Sequence, residues 1–164
     1  LIDSLLGYYL YPYRKQVSRS IIRDTPKFYL FDVGLANHLK RVNITEYKGI
    51  DAGHALEHTI FLELLAYLSY HERDEPLCYW RTKSGQEVDF IIGDGEIAIE
   101  VKISDLIQKK DLSGLSAFGS EHHPKKRYVV SMEPRPRIMT DNIGDIHIYP
   151  AIYFLQKLWA GDVI

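Results

Sequence analysis

The spacing of apolar and polar positions changes period several times along the chain, and each change marks an element. Residues 53–70 hold Leu56, Ile60, Phe61, Leu64, Leu65 and Leu68 at helical spacing, which predicts an amphipathic helix. Glu87-Val88-Asp89-Phe90-Ile91-Ile92 and Ile97-Ala98-Ile99-Glu100-Val101-Lys102-Ile103 alternate with period two and read as strands. Between them Gly93-Asp94-Gly95-Glu96 is an Asp-Gly hairpin turn. A strand over 77–82 and a turn over 83–86 precede this pair. Ser104 is placed to cap a helix reaching about Phe118. Residues 126–132 and 145–149 read as two more strands separated by a Pro-rich loop, and 151–159 as a closing helix. Upstream, 27–32 reads as a short strand, 33–42 as a short helix, and the tyrosine-rich stretch 8–13 as a strand or hairpin packed on a neighbour. Helix, three-strand meander, helix, strand, strand, helix defines an α/β fold. Its strand–helix–strand crossover requires a parallel pair in a mixed sheet.

The Asp-Gly turn fixes a register. Counted outward from it, Ile92 pairs with Ile97, Ile91 with Ala98, Asp89 with Glu100 and Glu87 with Lys102. Val88, Phe90, Ile92, Ile97, Ile99, Val101 and Ile103 then form an apolar face, the core side. Asp89 and Glu100 become direct neighbours on the other face, with Cβ atoms about 4.5–5.5 Å apart, where like charges destabilise a sheet. A divalent cation such as Mg²⁺ compensates such a pair. Lys102 on the same face is placed to orient a water or stabilise developing negative charge. A plainer arrangement satisfies the same pattern: a solvated face with Glu87–Lys102 as a surface ion pair. Glu57 falls in the middle of the apolar stripe of helix 53–70, so it must be paired, protonated or metal-bound. By the register of the Ser84-Gly85 turn, Trp80 faces Asp89 and Arg81 the opposite side.

Composition narrows the function classes. The 164 residues suit one domain, 46% hydrophobic and 26% charged. A net charge of −2 excludes a uniformly basic nucleic-acid coat. The single Cys78 excludes an intrachain disulfide and a zinc finger and makes a reducing cytoplasm the expected location. No apolar run approaches the roughly 20 residues of a membrane span, so no membrane partner is expected. The sequence starts without Met and reads as part of something longer. Arg14, Lys15, Arg19, Arg23 and Lys27 outnumber Asp3 and Asp24 in the first 27 residues. With the tyrosines they suit either contact with a nucleic-acid backbone or, the favoured reading, solvated charges around a packed strand. His54 and His58 lack the H-E-x-x-H order of zinc proteases and read as ordinary helix histidines. His122 and His123, with Lys125, Lys126 and Arg127, form a solvated loop that would touch phosphates if the chain binds nucleic acid, as would Lys109 and Lys110. No G-x-x-x-x-G-K-[ST] loop is present, so the chain carries no ATP site of its own.

Glu57 on a helix, then Asp89, then Glu100-Val101-Lys102 on the next strand resembles the PD-(D/E)XK nuclease superfamily, as does the αβββαβ order. More narrowly, four segments resemble the C-terminal domain that follows the ATPase module in a large family of prokaryotic AAA-type ATPases of unassigned function. They are Lys27-Phe28-Tyr29-Leu30-Phe31-Asp32-Val33-Gly34-Leu35, Gly53-His54-Ala55-Leu56-Glu57, Tyr79-Trp80-Arg81 with Gly85-Gln86-Glu87-Val88-Asp89-Phe90, and Ile99-Glu100-Val101-Lys102. Val88 stands where the superfamily motif has proline.

The resemblance implies a restriction-endonuclease-like domain over 51–164, with 1–50 a linker or the tail of a preceding winged-helix-like region. It implies Asp89, Glu100 and the Val101 carbonyl as Mg²⁺ ligands (Mn²⁺ substituting), Lys102 as the residue that positions the attacking water, and Glu57 as support from the helix. Trp80, Arg81, Lys109 and Lys110 are the expected nucleic-acid contacts. The expected function is Mg²⁺-dependent phosphodiester hydrolysis on DNA or RNA. The alternative is a catalytically silent module coupled to its own N-terminal ATPase domain, where ATP would bind. Oligomeric state, a homo-oligomer included, is left open.

Overall fold

The computed structural model describes residues 6–14 and 25–164. Lys15, Arg19, Arg23, Asp3 and Asp24 of the basic N-terminal stretch lie outside them. The elements are β1 (Gly7–Pro12), β2 (Lys27–Leu30), α1 (Val33–Leu39), α2 (Gly49–Tyr70), β3 (Leu77–Arg81), β4 (Glu87–Ile92), β5 (Ile97–Val101), a 3-10 turn (Lys109–Leu112), α3 (Ser113–His122), β6 (Lys126–Ser131), β7 (Arg137–Thr140), β8 (Asp145–Pro150) and α4 (Ala151–Trp159). The α2-β3-β4-β5-α3-β6 run is the expected αβββαβ order. All eight strands join one mixed sheet, ordered β2-β1-β3-β4-β5-β6-β8-β7. The β5/β6 and β6/β8 pairs are parallel, while β3/β4 and β4/β5 are antiparallel. The chain is therefore an α/β domain built on a mixed sheet flanked by helices.

The two faces of the sheet bury different helices. On one face Ile60, Phe61, Leu64, Tyr67 and Leu68 of α2 and Phe154 and Leu158 of α4 pack on Phe90, Ile92, Ile97, Ile99, Val101 and Val130. The other face buries Leu115 and Phe118 of α3 against Trp80, Val88, Ile91, Ala98, Val129, Ile146 and Ile148. Burying apolar surface at about 25 cal/mol per Å² makes these two clusters the main source of stability. Gly53 allows α2 to approach Ile103, since a Cβ there would stand 3.2 Å from the Ile103 side chain. Gly114 brings α3 still closer to β4: a Cβ would stand 2.0 Å from the Glu87 carbonyl oxygen, so no other residue fits.

β1 pairs in parallel with β3 and antiparallel with β2, so residues 7–12 and 27–30 extend the same sheet across the boundary expected near residue 50. Three expectations need correction. Ser104 does not cap a helix: its hydroxyl accepts from Leu106 N–H and donates to Leu106 O in a local turn. The helical backbone begins only at the 3-10 turn, where Gln108 and Asp111 form a reciprocal capping box. The Pro-rich segment after β6 is not all loop, because Arg137–Thr140 pairs with β8 as an edge strand beyond its prolines.

The third correction concerns β4. The expected register holds at the turn, with Ile92 opposite Ile97, Ile91 opposite Ala98 and Phe90 opposite Ile99. On the β3 side Cys78 pairs with Ile91 but Trp80 pairs with Val88. Phe90 and Asp89 thus both lie opposite Tyr79, a β-bulge that reverses the alternation below it. Val88 is turned to the α3 face beside Trp80. Asp89 and Glu87 are turned to the α2 side.

Candidate functional site

A cavity of about 620 Å³ opens where β4 and β5 part, between α2, β2 and α1. Glu57, Glu87, Asp89, Glu100 and Lys102 line it together with Lys27, Tyr29 and His54. Each acid reaches it for a local reason. Glu57 sits on the α2 stripe in the helix N-terminal half, one turn before the buried Ile60 and Phe61. Asp89 is delivered by the bulge. By alternation with Ala98, Glu100 belongs to the side away from α2, and it enters the cavity at the end of β5.

Asp89 and Glu100 are not a facing ladder pair. The Asp89 carboxylate accepts the Val101 N–H instead, at 2.8 Å from Oδ2. Its other oxygen lies 3.4 Å from Lys27 Nζ. Lys27 is the hub of the cluster, donating to Glu57 Oε1 at 2.9 Å and paired with Glu87 Oε1 at 2.6 Å. Its ammonium also stands 5.3 Å from the centre of the Tyr79 ring. Tyr29 Oη donates to Glu57 Oε1 at 2.6 Å. Lys102 donates to Glu100 Oε1 at 2.5 Å, whereas Glu100 Oε2 is buried with no hydrogen-bond partner. The Glu87–Lys102 surface pair is replaced, because the bulge sends Glu87 to Lys27 and to Arg81 Nε at 3.5 Å.

The electrostatics split the acids. Burial pushes Asp89 above the usual carboxylate range, reinforced by Glu57 and opposed by Lys27. Burial pushes Glu100 further, to about 8, with Asp89 adding to it and Lys102 opposing. Glu57 goes the other way: burial opposes its ionisation, but Lys27 and the Tyr29 hydroxyl hold it below the ordinary range. Burial disfavours charge on Lys102, yet Glu100 keeps its pKa raised.

The oxygen donors suit a hard divalent cation such as Mg²⁺, and the orphaned Glu100 Oε2 is the atom such an ion would satisfy. Among the described residues no three His, Cys, Asp or Glu side chains are grouped as a metal site requires; Glu57, Glu87 and Asp89 instead surround Lys27 Nζ.

Other expected site residues lie elsewhere. Trp80 is 6% exposed and packed on Phe118, on the face opposite Asp89. It has no free ring face on which a base could stack, because the bulge pairs it with Val88. Arg81 is largely exposed at the end of β3, and Lys109 and Lys110 are exposed on the 3-10 turn; none of the three lines the cavity. Val101 ends β5 and likewise does not line it. His58 is a packed histidine, its Nε2 2.7 Å from Leu30 O. Of the expected phosphate-contacting loop, Arg127 is buried in an ion pair with Asp141 and Lys125 pairs with Glu96. Sequence reasoning missed Lys27, Tyr29 and Glu87 as cavity residues. The one legible signal for the first two was Lys27-Phe28-Tyr29, a Lys and a Tyr two apart on a strand and hence on one face.

Fold and cavity together define an α/β domain with an inward-facing carboxylate–lysine cluster at the splayed end of a mixed sheet. The chain belongs to the family described as a domain of unknown function (DUF4143), whose model matches residues 52–150. Domains of this family typically form the C-terminal part of AAA-ATPase-associated proteins. No curated protein and no solved structure matches the chain. Among the described residues no helix is long and apolar enough to cross a membrane.

Proposed function

We propose that the chain is the C-terminal domain of a cytoplasmic AAA-type ATPase and acts as a Mg²⁺-dependent phosphodiesterase on DNA or RNA, with the PD-(D/E)XK arrangement. The observation that carries this reading is one cavity lined by Asp89, Glu100 and Lys102, with Glu57 entering from α2 and Glu100 Oε2 left without a partner. Asp89 and Glu100 would hold the ion, and the Val101 N–H fixes the Asp89 carboxylate through Oδ2. Bound there, the ion would supply charge stabilisation at phosphorus and lower the pKa of water. Hydrolysis forms one P–O bond from water and breaks one P–O bond to the leaving oxygen. Lys102 would stabilise charge on the phosphoryl oxygens, and Glu57, held by the Tyr29 hydroxyl, would support the ion from α2. ATP would bind only in the ATPase domain.

A second reading, a catalytically silent module coupled to the ATPase, is favoured by one specific observation: the Lys27 ammonium already pairs with Glu57, Glu87 and Asp89. The deciding experiment offers single- and double-stranded DNA and RNA in Mn²⁺ to the wild type, Asp89→Ala and Lys102→Ala. The nuclease reading expects cleavage by the wild type and a loss of at least about 100-fold in both variants. Cleavage that survives Asp89→Ala, or none by the wild type joined to its ATPase domain, overturns it in favour of the silent module.

A further inference from the structure

We propose that Lys27 is the resident counter-cation of the cavity, and that a divalent ion enters only by displacing its ammonium, which makes β2 a removable lock on the site. The inference rests on the reading that the cavity takes a divalent metal, and it goes further by naming what the metal must compete with.

The geometry is that of a cation site already filled from within. Three carboxylates from two elements, Glu57 of α2 and Glu87 and Asp89 of β4, lie 2.9, 2.6 and 3.4 Å from one nitrogen. An ammonium offers three donors and no acceptor, so it can satisfy three carboxylate oxygens as a small metal ion would. The two cannot share the oxygens: an ammonium and a divalent ion at one point repel, strongly so in a cavity of reduced dielectric. Glu100 is the acid that Lys27 does not reach, and its Oε2 is the one carboxylate oxygen of the cluster that is buried and unpartnered. Three acids thus share one monovalent occupant, while Glu100 keeps an oxygen that a divalent one would take.

Lys27 is also built to leave. It is the first residue of β2, the outermost strand on its side of the sheet, and its nitrogen is carried on a flexible four-carbon stem. The strand itself stays anchored behind it, because Leu30 O is held by His58 and the Tyr29 ring stacks on Phe61 with centroids 4.1 Å apart. Swinging the stem outward therefore opens the site without unpairing β2. Tyr29, still donating to Glu57, would keep one wall of the cavity in place.

The test measures Mn²⁺ binding by isothermal titration calorimetry to the full chain, wild type beside Lys27→Met. Removing the competing ammonium is expected to tighten binding at least tenfold. Equal or weaker binding by the variant overturns the proposal, and so does binding by neither. An unmutated control keeps the idea exposed if Lys27→Met fails to fold. Wild-type protein is treated with acetic anhydride with and without Mn²⁺, and lysine acetylation is read by mass spectrometry against exposed Lys83. Saturating Mn²⁺ should raise acetylation of Lys27 several-fold at constant Lys83, and an unchanged Lys27 would sink the lock. Cleavage is scored separately. Tenfold tighter Mn²⁺ binding with no cleavage by either protein joined to its ATPase domain overturns the nuclease reading and leaves the lock standing.

Discussion

Glu100 and Glu133 are the same residue type, buried to nearly the same degree at 5% and 6% exposure, and yet they are opposite kinds of acid. Every oxygen of Glu133 is used. Its Oε1 accepts from Ile107 N–H at 2.6 Å and from Arg137 Nη2 at 2.7 Å, and its Oε2 accepts from Arg137 Nε at 2.7 Å. Those bonds, the Arg137 guanidinium first, hold its carboxyl below the ordinary range. Glu100 has one lysine on one oxygen and nothing on the other, and burial drives its pKa up. A forked guanidinium can satisfy both oxygens of a carboxylate at once, whereas a single ammonium beside one oxygen cannot. Burial alone therefore does not mark a functional acid. What separates the two is depth as well as donors: Glu100 lies deep with one lysine, whereas Glu133 sits beside the partly exposed Arg137, whose fork satisfies it.

The comparison breaks most visibly at Glu133. Glu133→Ala removes three charge-assisted bonds, leaving Ile107 N–H without its acceptor and Arg137 with the Ile107 carbonyl but no counter-charge, so about 2 to 4 kcal/mol of stability should be lost at neutral pH. Urea unfolding checks it. A folded pKa held low means that the stabilisation is present above the usual carboxylate range and lost as pH falls through it. The gap between wild type and variant should therefore shrink in acid. A loss below about 0.5 kcal/mol at pH 7 would place Glu133 with the incidental surface pairs.

Glu100 should respond with the opposite sign. Its raised pKa means that the folded state holds the proton more tightly than the unfolded chain does, so the ionised form costs stability as pH rises from the ordinary range toward about 8. Glu100→Met, of similar length and uncharged, should stabilise the metal-free protein by about 1 to 3 kcal/mol at pH 9 and by much less at pH 5. Lys102 is the partner left behind, and with its side chain 38% exposed it can turn to solvent. Thermal melts at the two pH values read the difference directly. Destabilisation at pH 9 would mean that Glu100, like Glu133, is a structural acid.

How far this contrast was legible depends on what each residue leans on. Glu57 could be singled out because a lone carboxylate interrupts an apolar stripe, a local pattern that α2 enforces. The register from Ile92 to Ile97 was readable for the same reason, since turn chemistry and alternation act over a few residues. The bulge was not. It depends on Tyr79 facing two residues of β4, and no period within either strand announces it; its effect was to swap the sides of Val88 and Asp89 and to bury Trp80. Lys27 was invisible as a site residue because it reaches Glu57 and Asp89 only after β2 has joined the far side of the sheet, 30 and 62 positions away. Glu133 was not legible either: its two partners lie 26 residues before it and four after, in segments that read as helix and loop.

The smallest effect belongs to the best-supplied acid of all. Asp141 takes Arg127 Nη2, Ile143 N–H and Gly144 N–H on Oδ1, and Arg127 Nη1 and Ser116 Oγ on Oδ2. The bidentate guanidinium, then the Ser116 hydroxyl and the Ile143 amide, hold its carboxyl far below the usual range even against burial. Ser116→Ala deletes one donor of five, so the loss should be about 1 kcal/mol or less. The sign follows that of Glu133, with the loss seen at neutral pH and fading only in strong acid. Redundancy is what makes the site tolerant: four donors still neutralise the same two oxygens. A loss near 3 kcal/mol in urea unfolding would show that the Asp141 donors act as one cooperative network. Supply of donors would then be the wrong measure of how firmly a buried acid is held, at Glu100 as well as here.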